Sequence, residues 1–170
     1  MAVERWVQSL VPQNLHWAEG VSRTAEFPWI LFVWALVFAF SWALAGWRAA
    51  LTSIFSFAGM LALGYLLSPV IARPRPSPEL VHVFRPLLGY SFPSLFALRY
   101  AATFGFLAVL AAWRSSGVVR TSLLIVCSGL LILGWFARIA LAAHWPSDVI
   151  ISYCLGLLWA AFLIRFTPVA

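Results

Sequence analysis

At 170 residues the chain has the length of one ordinary domain, yet 64% of it is hydrophobic and only 9% is charged. Soluble domains carry about a quarter charged residues, so this composition excludes a water-soluble globule, a disordered chain and a secreted disulfide scaffold. The net charge of +6 comes from eleven arginines against four Glu and one Asp, and because those arginines are scattered singly they do not form the basic stripe that nucleic acid requires.

A mean hydropathy of +0.95, with ten Trp and fourteen Phe, predicts an all-α integral membrane bundle. The first 27 residues differ from the rest. Val3, Trp6, Val7, Leu10 and Val11 share one helical face, and Glu4, Arg5, Gln8 and Ser9 share the other. That pattern predicts an amphipathic helix lying in the membrane interface, ended by Pro12, and not a signal peptide, which would carry a long apolar core behind a basic start. A disordered tail is the alternative. Two parts are therefore expected, an interfacial segment over 1–27 and a transmembrane domain over 28–170.

A crossing helix needs roughly 20 apolar residues. Pro28 to Trp47 supplies them without one charge, and Ala49 to Ala72 supplies a second span in which Gly59 and Gly64 are expected to pack closely against a neighbour. The next stretch, RPRPSPELVHVFRPLLGYSF over 73–92, holds four prolines and the like-charged Arg73, Arg75 and Arg85, so it reads as a loop. A third span runs from Pro93 to Trp113, a fourth from Val119 to Leu141, and a fifth from Pro146 to Arg165. Cys127 and Cys154 fall inside apolar runs and read as small hydrophobic residues. Five spans result.

Arg48, Arg114, Arg120 and Arg165 fall at one set of span ends, and all five carboxylates, Glu4, Glu19, Glu26, Glu79 and Asp148, fall at the other. Because cytoplasmic connections carry the excess of basic residues, the acidic side is expected to face out. The 73–92 loop, the start of the third span and the turn between the last two spans meet on that side.

Ionisable groups at spans are costly and mark function, which singles out Arg138, His144 and Asp148 in ARIALAAHWPSDVIISYCLG. Pro146 separates two helices there, leaving His144 in the turn. Asp148, four residues on, is placed to hold one imidazole nitrogen and leave the other free to attack an anionic phosphorus centre. Taken singly, Arg138 also reads as a side chain snorkelling to the headgroups and His144 as an imidazole bonded to a nearby carbonyl. In YSFPSLFALRY, Pro93 opens a helix whose first N–H groups, at Ser94, Leu95 and Phe96, suit an anion, and Arg75 can fold over the same point with a fork that matches phosphate oxygens.

These residues resemble the type 2 phosphatidic acid phosphatase superfamily of integral-membrane, metal-independent lipid phosphatases. The resemblance covers about residues 28 to 166. The last family motif, Ser-Arg, five residues, His, three residues, Asp, is matched by Arg138, His144 and Asp148 with Ala137 in place of the serine. The first, Lys, six residues, Arg-Pro, aligns with Arg75-Pro76 but puts Ser68 where lysine belongs, and the middle one, Pro-Ser-Gly-His, reads Pro93, Ser94, Leu95, Phe96. The resemblance implies that His144 is the nucleophile forming a phosphohistidine, that Asp148 holds it, that Arg75, Ser94 and Arg138 bind phosphate, and that no cofactor or metal takes part. It also implies a general acid where Phe96 stands, for which Arg99 or His82 is a possible accessory.

Two functions follow. One is a phosphatase or diphosphatase of a lipid phosphate headgroup, acting at the extracytoplasmic face of a bacterial plasma membrane; a diphosphate suits it best, because a lipid monophosphate leaves without needing a proton. The other is a pseudophosphatase that binds lipid phosphate without cleaving it. A structural subunit with the Trp-rich first span as its contact face is a third and weaker reading.

Overall fold

A computed structural model of the chain describes residues 2–11, 14–84 and 86–167. Pro12, expected to end the first helix, and Arg85 of the loop lie outside them. Among the described residues every regular element is helical. In chain order these are α1 (Ala2–Leu10), α2 (His16–Arg23), α3 (Trp29–Ile71), α4 (Leu95–Arg114, including a π-helical turn at Ala101–Gly105), α5 (Gly117–Ala140) and α6 (Pro146–Arg165).

At 43 residues, α3 would be about 65 Å long if straight, roughly twice the hydrocarbon thickness. It is not straight. Ala45 (φ −146°, ψ 18°) and Gly46 (φ 79°, ψ 179°) leave the helical region, and Gly46 takes a conformation open essentially to glycine alone. The chain doubles back there. Trp34 and Phe57, which a straight helix would hold some 35 Å apart, have ring centroids 6.4 Å apart, and Val37 packs in one cluster with Ala49. The first two spans are thus the two arms of this hairpin. The turn falls two residues before the expected site at Arg48, because the backbone demands the glycine and not the charge.

The central post is α4. Its apolar stretch is 72% buried, whereas the other long helices bury 17–33% of theirs and turn the remainder outward. Without water to drive helices together in a bilayer, close packing of small residues must do it. A Cβ on Gly64 would fall 2.4 Å from Leu95 Cδ2, and one on Gly156 would fall 2.3 Å from the Ala101 Cβ. Both glycines set helices directly against α4. Phe106, Leu98 and Leu110 fill the space between.

At the far end of the bundle from residue 144, Thr52 and Thr167 are bonded at 2.9 Å and Arg114 donates to the Thr167 carbonyl at 2.7 Å. The arginine-bearing ends are therefore gathered together, as the charge pattern required. At the other end α1 and α2 pack onto α5, with Val7, Leu15 and Ala18 against Ala137, Ile139, Ala140 and Leu141. The expected apolar face of α1 divides: Val7 turns inward beside Glu4, while Val3, Trp6 and Leu10 stay exposed. Arg5 and Gln8 hold α1 to the loop through the carbonyls of Leu80 (3.1 Å) and His82 (2.7 Å).

Candidate active site

Pro146 stands at the first position of α6, and Trp145 just before it is extended, so the chain between α5 and α6 cannot continue either helix. That turn carries His144, which is buried. Its Nδ1 lies 2.6 Å from the carbonyl oxygen of Ser91. A carbonyl only accepts, so Nδ1 carries the proton and Nε2 keeps its lone pair. Burial, aided by the charges of Arg138 and Arg75 and opposed by the Ser91 bond, holds this imidazole well below its ordinary pKa of 6.5. It is neutral at neutral pH.

Asp148 was expected to hold that ring directly. Instead its oxygens take the Arg73 guanidinium at 2.5 Å, the Ser91 hydroxyl, and the Trp145 N–H at 3.1 Å. The carboxylate therefore caps α6 and anchors Ser91, and reaches His144 only through that residue. The two arginines of the Arg73-Pro74-Arg75-Pro76 run take different partners. Arg73 goes to Asp148, and Arg75 goes to the carbonyls of Ala143 (2.6 Å), Gly89 (3.2 Å) and Leu88 (3.4 Å). Burial lowers the pKa of Arg75, and the Asp148 charge opposes that shift.

Arg75, Arg138 and His144 line one cavity of about 140 Å³, together with Arg99, Ser68, Glu26 and Phe96. Arg138, in the last turn of α5, does not snorkel to the headgroups: it is 8% exposed, donates to Ser22 Oγ at 3.0 Å and lies 5.2 Å over the Phe96 ring. Arg99 donates to the Ala25 carbonyl at 2.7 Å and stacks on Phe27 at 5.4 Å. Three guanidinium groups against one carboxylate, with a neutral imidazole among them, make the cavity a seat for an anion.

A model of the PAP2 superfamily matches residues 49–170. The chain belongs to that superfamily. Its fold is also that of a transmembrane PAP2 type phosphatidylglycerolphosphate phosphatase from Bacillus subtilis, whose crystal structure matches with a TM-score of 0.77 at 19% identity over 97% of this chain and 82% of the other. Among curated proteins no match is found. An integral membrane protein follows from family, fold and the long apolar helices together.

Within this PAP2 fold, the residues expected at the site separate into three groups. Arg75, Arg138, His144 and the accessory Arg99 come together at the cavity. Asp148 stands behind it. Ser94 and His82 do not line it among the described residues. The Ser94 N–H, expected to be open to an anion, donates to Ser152 Oγ at 3.0 Å, and its hydroxyl caps α4 at the Ala97 N–H (3.3 Å). Both groups thus have partners within the fold. His82 sits on the loop with its backbone bonded to Gln8. Four residues were overlooked in the sequence: Arg73, Ser91, Ser22 and Glu26. Only Arg73 carried a signal, as the first arginine of the RPRP run; the others needed the fold.

Proposed function

We propose that the chain is a phosphohydrolase of lipid phosphates, with His144 as nucleophile. The observation carrying this reading is the Nδ1–H bond to the Ser91 carbonyl, which leaves the Nε2 lone pair available beside a three-arginine cavity. Arg75 and Arg138 bind the phosphoryl oxygens and neutralise charge as it spreads over them. Nε2 attacks phosphorus, the bond to the leaving oxygen breaks, and the resulting imidazolium keeps its Nδ1 proton on Ser91. Water then cleaves the P–N bond and restores the imidazole.

Phe96 has no proton to give. Losing a general acid costs roughly 10²–10⁴ in rate, but the loss matters least for a leaving group that departs as a stable anion. A lipid diphosphate releases a lipid monophosphate, so diphosphates are the preferred substrate class. Arg99, in the same cavity as Ser68, is suited to supply the positive charge that the family places at that position. The charge distribution supports an extracytoplasmic site, and the exposed Val3, Trp6 and Leu10 of α1 support seating that helix in the interface.

The test uses purified protein in detergent micelles with a polyprenyl diphosphate and with a phosphatidic acid. Phosphate release from the diphosphate that disappears in His144→Ala supports the reading, and release that is absent or survives that substitution overturns it. One observation favours the binding alternative, the Phe96 ring packed against Arg138 where the family has a proton donor. Retention of lipid phosphate without turnover, lost in Arg138→Ala, is the result that would favour it.

A further inference from the structure

Resolving a phosphorylated histidine requires a base to take a proton from water, and the residue to which the family assigns proton transfer is Phe96 here. The cavity wall contains a substitute. Among its described lining residues the groups able to accept a proton, apart from His144, are the Glu26 carboxylate and the hydroxyls of Ser22, Ser68 and Tyr90. Hydroxyls are feeble bases, and that of Ser22 already accepts from Arg138.

Glu26 lies in the connection between α2 and α3, and the fold fixes that connection firmly. Its own N–H donates to the Arg23 carbonyl and its carbonyl accepts from the Ile30 N–H, both at 2.9 Å. Just before it in the chain, Ser22 accepts from Arg138 at 3.0 Å and Ala25 accepts from Arg99 at 2.7 Å. Two guanidinium groups of the anion cavity thus bolt the segment to the wall.

A second cavity, of about 150 Å³, shares Ser22, Glu26 and Arg138 with the first. Room for a water needs only some 10–15 Å³, so this space can hold several. Glu26 is itself exposed and stands on the partition between the two spaces. Glu19 lines the second cavity only and is bonded to His16 at 3.4 Å.

We propose that Glu26 is the general base that activates the water which hydrolyses phosphorylated His144. The proposal rests on the nucleophile reading above. A proton passes from water to a Glu26 oxygen as the water oxygen bonds to phosphorus; the P–N bond breaks, its electron pair returns to Nε2, phosphate departs, and Glu26 releases its proton to solvent. The first transfer, from a diphosphate, needs no help from this residue.

The experiment mixes the full chain with a polyprenyl diphosphate radiolabelled in its terminal phosphate and quenches in alkali, where a phosphohistidine survives. Glu26→Gln is expected to lower steady-state phosphate release by about 10²-fold while labelled protein accumulates towards one label per chain. Glu26→Asp is expected to recover part of the turnover, and His144→Ala to take up no label. Slowing without accumulation would instead make Glu26 a positioning residue for the first step and overturn the base assignment, as would unchanged turnover in Glu26→Gln. Turnover in the parent chain that survives His144→Ala with no label removes the nucleophile reading and this inference with it.

Discussion

Arg73 Nη1 lies 2.5 Å from Asp148 Oδ1, and this ion pair, rather than a carboxylate–imidazole contact, joins the 73–93 loop to the start of α6. Asp148 is fully buried whereas Arg73 is 39% exposed, so the pair is partly screened. Arg73→Met is expected to cost about 1–3 kcal/mol, because it removes the ion-pair partner of a buried carboxylate and leaves its hydrogen bonds to the Ser91 hydroxyl and the Trp145 N–H to hold it. Thermal unfolding in detergent reads this directly, and a double-mutant cycle with Asp148→Asn should show the two losses to be non-additive.

Ser91 serves His144 with its backbone and Asp148 with its side chain. Ser91→Ala therefore removes one hydrogen bond from a buried carboxylate, worth about 1–3 kcal/mol, but keeps the acceptor that sets the imidazole tautomer. Stability should fall while phosphate release stays within roughly tenfold of the parent, an effect far below the 10²–10⁴ expected from loss of an acid–base group. A collapse of turnover comparable to that of His144→Ala would mean that the hydroxyl, and through it Asp148, controls the ring.

The depressed pKa of His144 gives two pH effects of known sign. For activity, the nucleophile stays unprotonated below its ordinary 6.5, so the acid limb of kcat/KM should fall below that value, and Arg75→Leu should move it upward by removing one of the charges that depress it. For stability, the unfolded chain takes up a proton at His144 as pH falls through about 6.5 while the folded site resists. The folded state therefore loses stability as pH falls from 6.5 through the lower folded value. Titration of unfolding in detergent, parent against His144→Ala, isolates this contribution.

Gly156 meets Ala101 where no side chain fits. Gly156→Val should part α6 from α4 and lower stability by about 1–3 kcal/mol or more. Gly129, in α5, faces open space, and Gly129→Ala should be neutral or stabilising by up to about 1 kcal/mol. Equal effects of the two substitutions would contradict the packing described for α4.

Replacing Leu95 by glycine and Phe96 by histidine restores the family's middle motif in the cavity wall. The double variant should raise turnover of a lipid monophosphate relative to a diphosphate, measured as the ratio of the two kcat/KM values. No change in that ratio would show that residue 96 does not face the leaving group.

The spans needed little beyond hydropathy and proline. Pro146 opens α6 and the last turn of α5 holds Arg138, both as the sequence requires, since the first turn is where a helix best accepts proline and an uncompensated charge in lipid is costly. The hairpin turn of α3 was misplaced by two residues because hydropathy is blind to which residue can adopt a positive φ. The division of α1 was hidden for a different reason: helical periodicity shows that a face is apolar, but not which neighbour covers part of it.

By itself the sequence determined that the chain is a helical membrane protein, that its charges are segregated to two ends, and that Arg75 stands in one family motif and Arg138 and His144 in another, because bilayer thickness, helix periodicity and motif spacing are all local properties. Only the tertiary structure decided that Arg73 and not His144 takes Asp148, that the Ser91 carbonyl fixes the ring, that Ser94 is spent on Ser152, and that Glu26 comes to the cavity wall. Each of those depends on which of several equally polar partners lies within about 3 Å after folding, a distance set by the packing of helices far apart in the chain.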